Sequence, residues 1–402
     1  MANPLNGSNI VLGVTGSIAC YKAADLASKL TQLGAEVNVI LSHGASNFIT
    51  PLTFRSLTHR PVTTNMYDIE SEMAVEHVGL AQQADLILIA PATANLIAKV
   101  AHGLADDALT STILATSSPV AIAPAMETHM YTNPATQDNL RILIERGIAI
   151  LGPGEGRLAS GSMGMGRLID VPDIIDSIYS ILGKKGDLAG RSIVVSAGGT
   201  QEPIDPVRVI TNHSSGKMGF AIAKAARDRG ANVTLITAPT ALADPGGITT
   251  KHVVTVAEMR KAVLESCTNA NALIMAAAVS DYRPDNVASQ KIKKTRDDGT
   301  LDLSLVKNPD FFLEVPEGVL RIGFAAESEH MLENAKEKLK AKNMAFIVAN
   351  DITGTDSGFN VDNNRVSILD KSGAIEELPL MTKYEVGHEI LDRVAKLLSK
   401  TP

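Results

Sequence analysis

Two stretches of this 402-residue chain repeat one pattern. Residues 9–41 read NIVLGVTGSIACYKAADLASKLTQLGAEVNVIL, and residues 192–237 open SIVVSAGG and close KMGFAIAKAARDRGANVTLIT. Each begins with a short apolar strand that ends in a glycine turn. Each continues into an amphipathic helix closed by Gly-Ala, then a second strand. Gly34-Ala35-Glu36-Val37 and Gly230-Ala231-Asn232-Val233 fall at matching places. A glycine at a helix end suits a left-handed C-cap. Strand–helix–strand units of this kind require parallel sheets with helices on both faces. The expected fold class is α/β, with two doubly wound Rossmann-like domains and mainly parallel sheets. The seam is expected in the polar stretch Gly183-Lys184-Lys185-Gly186-Asp187, giving domains 1–186 and 187–402.

Later segments fit the same plan. Strands are expected at Leu86–Ala90, Val120–Ala123, Leu273–Val279, Ile322–Ala325 and Phe346–Ala349, with helices at Ile174–Leu182, Met331–Lys342 and Tyr384–Leu398. Val366–Leu369 and Ala374–Leu378 flank Asp370-Lys371-Ser372-Gly373, a hairpin with a glycine turn.

Charge and composition remove several function classes. Lys+Arg is 37 against Asp+Glu 44, a net charge of −7, which argues against a nucleic-acid partner. Tryptophan is absent and aromatics are 3%, so base-stacking platforms are not expected. Cys20 and Cys267 form no CxxC pair, no zinc spacing and no disulfide framework, which points to a reducing cytoplasm. The start, MANPLNGSNI, has neither a basic stretch nor an apolar core, so no signal peptide is expected. The apolar runs are too short to span a bilayer, so no membrane partner is expected.

In an open parallel sheet, ligands sit at the carboxyl ends of the strands. Three such ends are rich in small and hydroxyl residues: Gly13-Val14-Thr15-Gly16-Ser17, Leu41-Ser42-His43-Gly44 and Pro91-Ala92-Thr93-Ala94-Asn95. Small residues admit a ligand close to the backbone, and N–H groups at a helix start bind phosphate. No GxGxxG follows the first strand and no acidic residue closes the second, so a mononucleotide fits better than a dinucleotide. Ordinary strand-to-helix turns use the same residues.

Together these loops resemble a known family. GSIACYKA, PATANLIAK, His77 in EHVGL, and PAMETHMY resemble the flavin-dependent cysteine decarboxylases. NHSSGKMGFAIA, AAAVSDYRP, KIKK, KNPD, GFAAES and VANDI resemble the phosphopantothenate–cysteine ligases. Strung together they resemble the fused bacterial coenzyme A biosynthesis flavoproteins, over nearly the whole chain. For the first half the resemblance implies FMN, contacted by Gly16, Ser17, Ser42, Thr93 and Asn95. His77 would sit over the flavin and assist oxidation of phosphopantothenoylcysteine, which loses carbon dioxide on the way to 4'-phosphopantetheine.

Two positions depart from the family. Glu127 stands where the family motif has asparagine, and Ser160, in the flap Ala159-Ser160-Gly161, stands where it has a cysteine acid. The decarboxylation is expected to be impaired at these positions.

Amide formation from a carboxylate requires activation, and a nucleoside triphosphate supplies it. The protein must then hold triphosphate charge, commonly with lysines and Mg²⁺. Lys291, Lys293 and Lys294 form one cluster; Lys338 and Lys342 lie four apart on one expected helix face. Such spacing also suits a solvated surface. No Walker A motif occurs. The resemblance implies CTP as co-substrate and Mg²⁺ as cofactor, with Asp281 and Lys291 meeting the nucleotide and Asp281 the metal. Asn308, Pro309 and Asp310 would form the base-side loop, Phe324 would pack on cytosine, and Lys338 and Lys342 would hold phosphates. The carboxylate of 4'-phosphopantothenate attacks the α-phosphate, and the cysteine amine displaces CMP. Lys291 would act in forming the acyl-cytidylate and Asn212 in its conversion. The family assembles its flavin domains as trimers and its ligase domains as dimers, so a homo-oligomer is expected. The rivals are a ligase with a degenerate flavoprotein half, a non-enzymatic flavoprotein-like regulator, and an NAD-dependent oxidoreductase.

Overall fold

The computed structural model describes residues 4–66, 76–293, 301–327, 331–351 and 361–399. The chain divides into two compact units, Asn3–Leu182 and Gly183–Pro402, the second also taking in the first two residues. Lys294 lies outside the described residues.

The first unit runs β1 (Asn9–Val14), α1 (Cys20–Gln32), β2 (Glu36–Leu41), α2 (Pro51–Thr58), β3 (Val62–Thr63), α3 (Glu76–Gln83), β4 (Leu86–Ala92), α4 (Ala94–His102), α5 (Ala108–Ala115), β5 (Val120–Pro124), α6 (Thr128–Thr132), α7 (Pro134–Glu145), β6 (Ala149–Ile150), β7 (Gly154–Arg157), β8 (Met163–Arg167) and α8 (Val171–Gly183). Its six-stranded sheet has the order β3-β2-β1-β4-β5-β6. Every pairing in it is parallel. All seven residues of β4 are buried, the continuous apolar run that a strand covered on both faces requires. On α1 the buried residues are Cys20, Ala23, Leu26, Ala27 and Leu30, the three-and-four spacing of one helix face. β7 and β8 form a separate antiparallel hairpin.

The second unit runs β9 (Ser192–Ala197), β10 (Gln201–Pro203), β11 (Val209–Thr211), α9 (Lys217–Arg227), β12 (Asn232–Thr237), β13 (Thr249–His252), α10 (Val256–Cys267), β14 (Ala272–Met275), β15 (Tyr282–Pro284), β16 (Leu305–Lys307), β17 (Leu320–Glu327), α11 (Met331–Ala341), β18 (Phe346–Asp351), β19 (Asn363–Asn364), β20 (Val366–Asp370), β21 (Ile375–Glu377), β22 (Met381–Thr382) and α12 (Lys383–Leu398). The main sheet has the order β13-β12-β9-β14-β17-β18-β20-β21. It is parallel from β13 through β18, and β20 and β21 join it antiparallel as the expected hairpin. Gly219 of α9 lets the helix settle on β9, since a Cβ there would come within 2.6 Å of the Ala197 Cβ.

The repeated helix endings are glycine for the expected reason. Gly34 and Gly230 have φ of +91° and +86°. Two expectations need correction. The strand expected over Leu273–Val279 stops at Met275, because Ala278 turns aside to exchange backbone hydrogen bonds with Gly198 and Thr200. The loop expected at 91–95 shrinks to Thr93, with Ala92 still in β4 and Ala94 already in α4. Among the described residues no helix is long and apolar enough to cross a membrane.

Candidate active sites

In the first unit the strand order reverses between β1 and β4, so a crevice opens at their carboxyl ends. Thr15 clamps that point. Its hydroxyl donates to the Pro91 carbonyl at 2.8 Å and accepts from the Thr93 N–H at 2.9 Å. Gly16 follows, and a Cβ on it would lie 2.8 Å from the Gly44 carbonyl carbon. The turns after β1 and β2 therefore touch through backbone. Ser17 precedes α1, whose N-cap, Ala19, provides no side-chain cap. Ser42 accepts from the Ala45 N–H at 3.3 Å, and Thr93 caps α4 through the Leu96 N–H. Asn95 stands exposed on the first turn of α4. The fold thus brings Gly16, Ser17, Ser42, Thr93 and Asn95 to one sheet edge.

His77 lies partly buried on the first turn of α3. That helix runs back against the strands into β4, so its start shares the same edge. Glu127 does something the sequence did not suggest. It is the N-cap of α6, and its carboxylate accepts the His129 N–H at 2.6 Å. The β7–β8 hairpin packs on this turn. A Cβ on Gly166 would meet the Met126 carbonyl oxygen at 2.2 Å, and one on Gly164 the Thr128 hydroxyl at 2.5 Å. Ser160 sits exposed at the hairpin tip, its Oγ 2.8 Å from that of Ser162.

The second unit carries two cavities that share Ala277, Val279, Asp281 and Phe324 and so form one cleft. The larger, about 510 Å³, is lined by Asn212, Asp281, Phe324 and Lys338 among others. The smaller, about 270 Å³, is lined by Asp281, Asn308, Pro309, Asp310, Phe324 and Lys342. Asn308 is buried and fully engaged. Its N–H donates to the Asp281 carbonyl at 2.7 Å, its amide to the Ser280 carbonyl at 2.9 Å, and its Oδ1 accepts from Arg283 at 2.9 Å. It holds the Pro309-Asp310 turn against Asp281. Asn212 is anchored by its amide on the Val279 carbonyl at 3.2 Å.

The two lysines expected to act together are divided between the cavities. α11 ends at Ala341, and Lys342 pairs with Asp310 at 2.9 Å while lying 5.8 Å above the Phe312 ring. Lys291 lines neither cavity. Its neighbour Ile292 is held by backbone bonds to the buried Asp205 and to Arg208. Arg208 and the surrounding N–H groups keep the Asp205 carboxyl far below the usual carboxylate range.

The fold also adds residues that sequence reasoning missed. Lys217, Asn350, Asn364 and Lys383 line the larger cavity. Lys217 pairs with Asp362 at 2.7 Å, which lowers the Asp362 pKa. Lys383 is buried and donates to the Val361 carbonyl. Desolvation, then the charge of Lys217, pushes its pKa down. The Asn350 Oδ1 is buried with no hydrogen-bond partner among the described residues. Lys217 lies inside NHSSGKMGFAIA and was within reach of a closer reading; Lys383 starts the last helix and carries no local signal.

Comparison with known proteins places both halves. A family profile described as "Flavoprotein" matches residues 2–183, and one described as "DNA/pantothenate metabolism flavoprotein C-terminal domain" matches residues 188–398. The coenzyme A biosynthesis bifunctional protein CoaBC of Vibrio cholerae is 45% identical over 391 residues, 96% of this chain and 98% of that protein. Its namesake in Escherichia coli K12 is 44% identical over 397 residues, 97% of each. The solved C-terminal domain of a CoaBC protein is 39% identical, covers 54% of this chain and 99% of its own, and superposes with a TM-score of 0.46. With both halves matched in order and relatives aligned from end to end, this chain belongs to the family of coenzyme A biosynthesis bifunctional proteins.

Proposed function

We propose that the second unit joins 4'-phosphopantothenate to cysteine with CTP, and that the first unit decarboxylates the product with FMN. The observation that carries the ligase reading is the cleft itself. Its two lobes meet at Asp281 and Phe324, and lysines line both. A volume of some hundreds of Å³ suits a nucleotide beside a second substrate. The smaller lobe takes the pyrimidine, shaped by Pro309-Asp310 and Phe324. The larger takes the phosphates, beside Lys338, and the acyl chain, beside Asn212. Among the described residues no cluster of three or more acidic, histidine or cysteine side chains could hold a metal. A lone Asp281 suits Mg²⁺, which usually takes one or two carboxylates and otherwise substrate phosphates and water. Lys291 lies outside both lobes, on the segment clamped at Ile292, and its role in activation rests on the family resemblance.

The first unit fits FMN through the Gly16–Gly44 contact, which leaves small backbone-lined turns beside an uncapped helix start. FMN supplies the acceptor and donor of hydride. Ser17, Ser42, Thr93 and Asn95 bind and orient it, and His77 assists at the substrate. Ser160 is a far weaker acid than the cysteine it replaces, since a thiol has a pKa of about 8.5. Final protonation is therefore slow. The two free cysteines, Cys20 and Cys267, are buried, as suits a protein of the reducing cytoplasm. Exposed Ile18, Tyr21, Phe48 and Leu52 on the first unit support a homo-oligomer. The test of the ligase reading is pyrophosphate release with 4'-phosphopantothenate and cysteine. CTP with Mg²⁺ should support it strongly and ATP poorly; equal turnover with ATP would remove the pyrimidine assignment.

A further inference from the structure

Aminolysis of an acyl-nucleotide requires the attacking nitrogen to lose a proton. A free α-amino group has a pKa of about 7.7–8.0, so much of it is protonated at neutral pH. Among the described residues, the titratable groups lining the larger cavity are His213, Lys217, Asp281, Lys338 and Lys383. A lysine ammonium has donors but no acceptor. Lys217 is engaged with Asp362, and Lys383 with the Val361 carbonyl. Asp281 stands where the two lobes meet, at the nucleotide. His213 remains. It is exposed, lines the cavity, and directly follows Asn212, whose amide is anchored on Val279. A neutral imidazole keeps one ring nitrogen as an acceptor, the capacity a general base needs.

We propose that His213 is the general base that takes the proton from the attacking amine of cysteine. The inference rests on the nucleotide-activated ligase reading. The amine nitrogen's electron pair forms the C–N bond to the acyl carbon. The bond from that carbon to the phosphate oxygen breaks, and CMP leaves with its electrons. The imidazole takes the proton from the nitrogen and later gives it to water.

The test uses the full chain and separates the two half-reactions. Pyrophosphate release is followed with 4'-phosphopantothenate, CTP and Mg²⁺ before cysteine is added. Amide formation is then followed after cysteine addition. For His213→Gln the pyrophosphate burst should persist, while kcat for amide formation falls about 100-fold with KM for cysteine little changed. Its rate should climb steadily with pH where the parent's levels off, and added imidazole should restore part of it. An unchanged rate and pH profile would overturn the proposal. So would loss of the burst in the variant, which would put His213 in activation instead. Absence of the burst in the unsubstituted chain would mark failure of the ligase reading itself.

Discussion

Replacing Gly16 by alanine probes the proposed flavin crevice where the turns after β1 and β2 touch. The added Cβ would lie 2.8 Å from the Gly44 carbonyl carbon, 2.9 Å from its oxygen and 3.0 Å from its Cα. These are backbone atoms at the start of a 3-10 turn that the Ser42 hydroxyl pins through Ala45. No side chain can swing away, so the two turns must part by about half an ångström. Overpacking of this size costs about 1–3 kcal/mol. If the turns hold FMN, most of that cost falls on the bound geometry. At 1.4 kcal/mol per decade, FMN affinity falls between about fivefold and about 150-fold. The assay is flavin fluorescence titration of apoprotein, with thermal unfolding measured on the same samples. Gly103→Ala is the control. It has φ of +68° but nothing within 4 Å of an added Cβ, so it strains the backbone away from the crevice. If Gly16→Ala binds FMN like the parent while its unfolding temperature drops, the turns do not hold the flavin.

Other consequences follow from single contacts. His388 is buried, its ring meets Tyr384 edge-on with centroids 4.6 Å apart, and desolvation pushes its pKa from 6.5 down to about 4. Above pH 6.5 both states are neutral; below it the unfolded chain binds the proton first, so stability should fall by up to about 3 kcal/mol toward pH 4 and then level off. His388→Leu should flatten that slope in denaturant titrations; a slope equal to the parent's would exclude His388 as its source. A fragment starting at Gly183 should be about 1 kcal/mol more stable than one starting at Leu188, because the part-exposed Asp187 pairs with the buried Arg229, which keeps Asp392 in both; equal stabilities would argue against a contribution from that pair. Lys291→Gln should slow pyrophosphate release, whereas Asn212→Asp should let the acyl intermediate accumulate; normal turnover in both would remove the assigned roles. Glu127→Asn with Ser160→Cys should raise the yield of phosphopantetheine, and an unchanged yield would locate the slow step elsewhere.

The parallel sheets were legible because their signals are local. An apolar run, a glycine turn and a helix closed by Gly34 or Gly230 occupy one short window each. The end of β14 was not legible. Ala276-Ala277-Ala278 continues the apolar run in sequence, yet Ala278 bonds to Gly198 and Thr200, some 80 positions away, an order-of-magnitude separation no window spans. The seam read as a polar linker because lysines and glycines usually mark loops. In the structure Gly183 and Gly186 are glycine because a Cβ would strike the Asp228 and Arg229 carbonyl oxygens at 2.1 and 2.4 Å. Close approach, not freedom, explains them. The cleft followed the same division. Asp281, Asn308 and Phe324 sit in recognisable motifs, while Lys383 enters from the last helix by tertiary packing alone. Glu127 shows the reverse case, in which a departure from a motif doubles as an ordinary helix cap.

The most direct measurement follows the fate of one carbon. The full chain is incubated with 4'-phosphopantothenate, CTP, Mg²⁺, FMN and cysteine labelled at its carboxyl carbon, and products are identified over time by mass spectrometry. Labelled phosphopantothenoylcysteine should appear first, matched one for one by CMP and pyrophosphate. Labelled carbon dioxide and unlabelled decarboxylated product should follow more slowly, and only when FMN is present. Labelled carbon dioxide without prior CTP-dependent ligation, or no labelled ligation product at all, would contradict a chain that carries both steps.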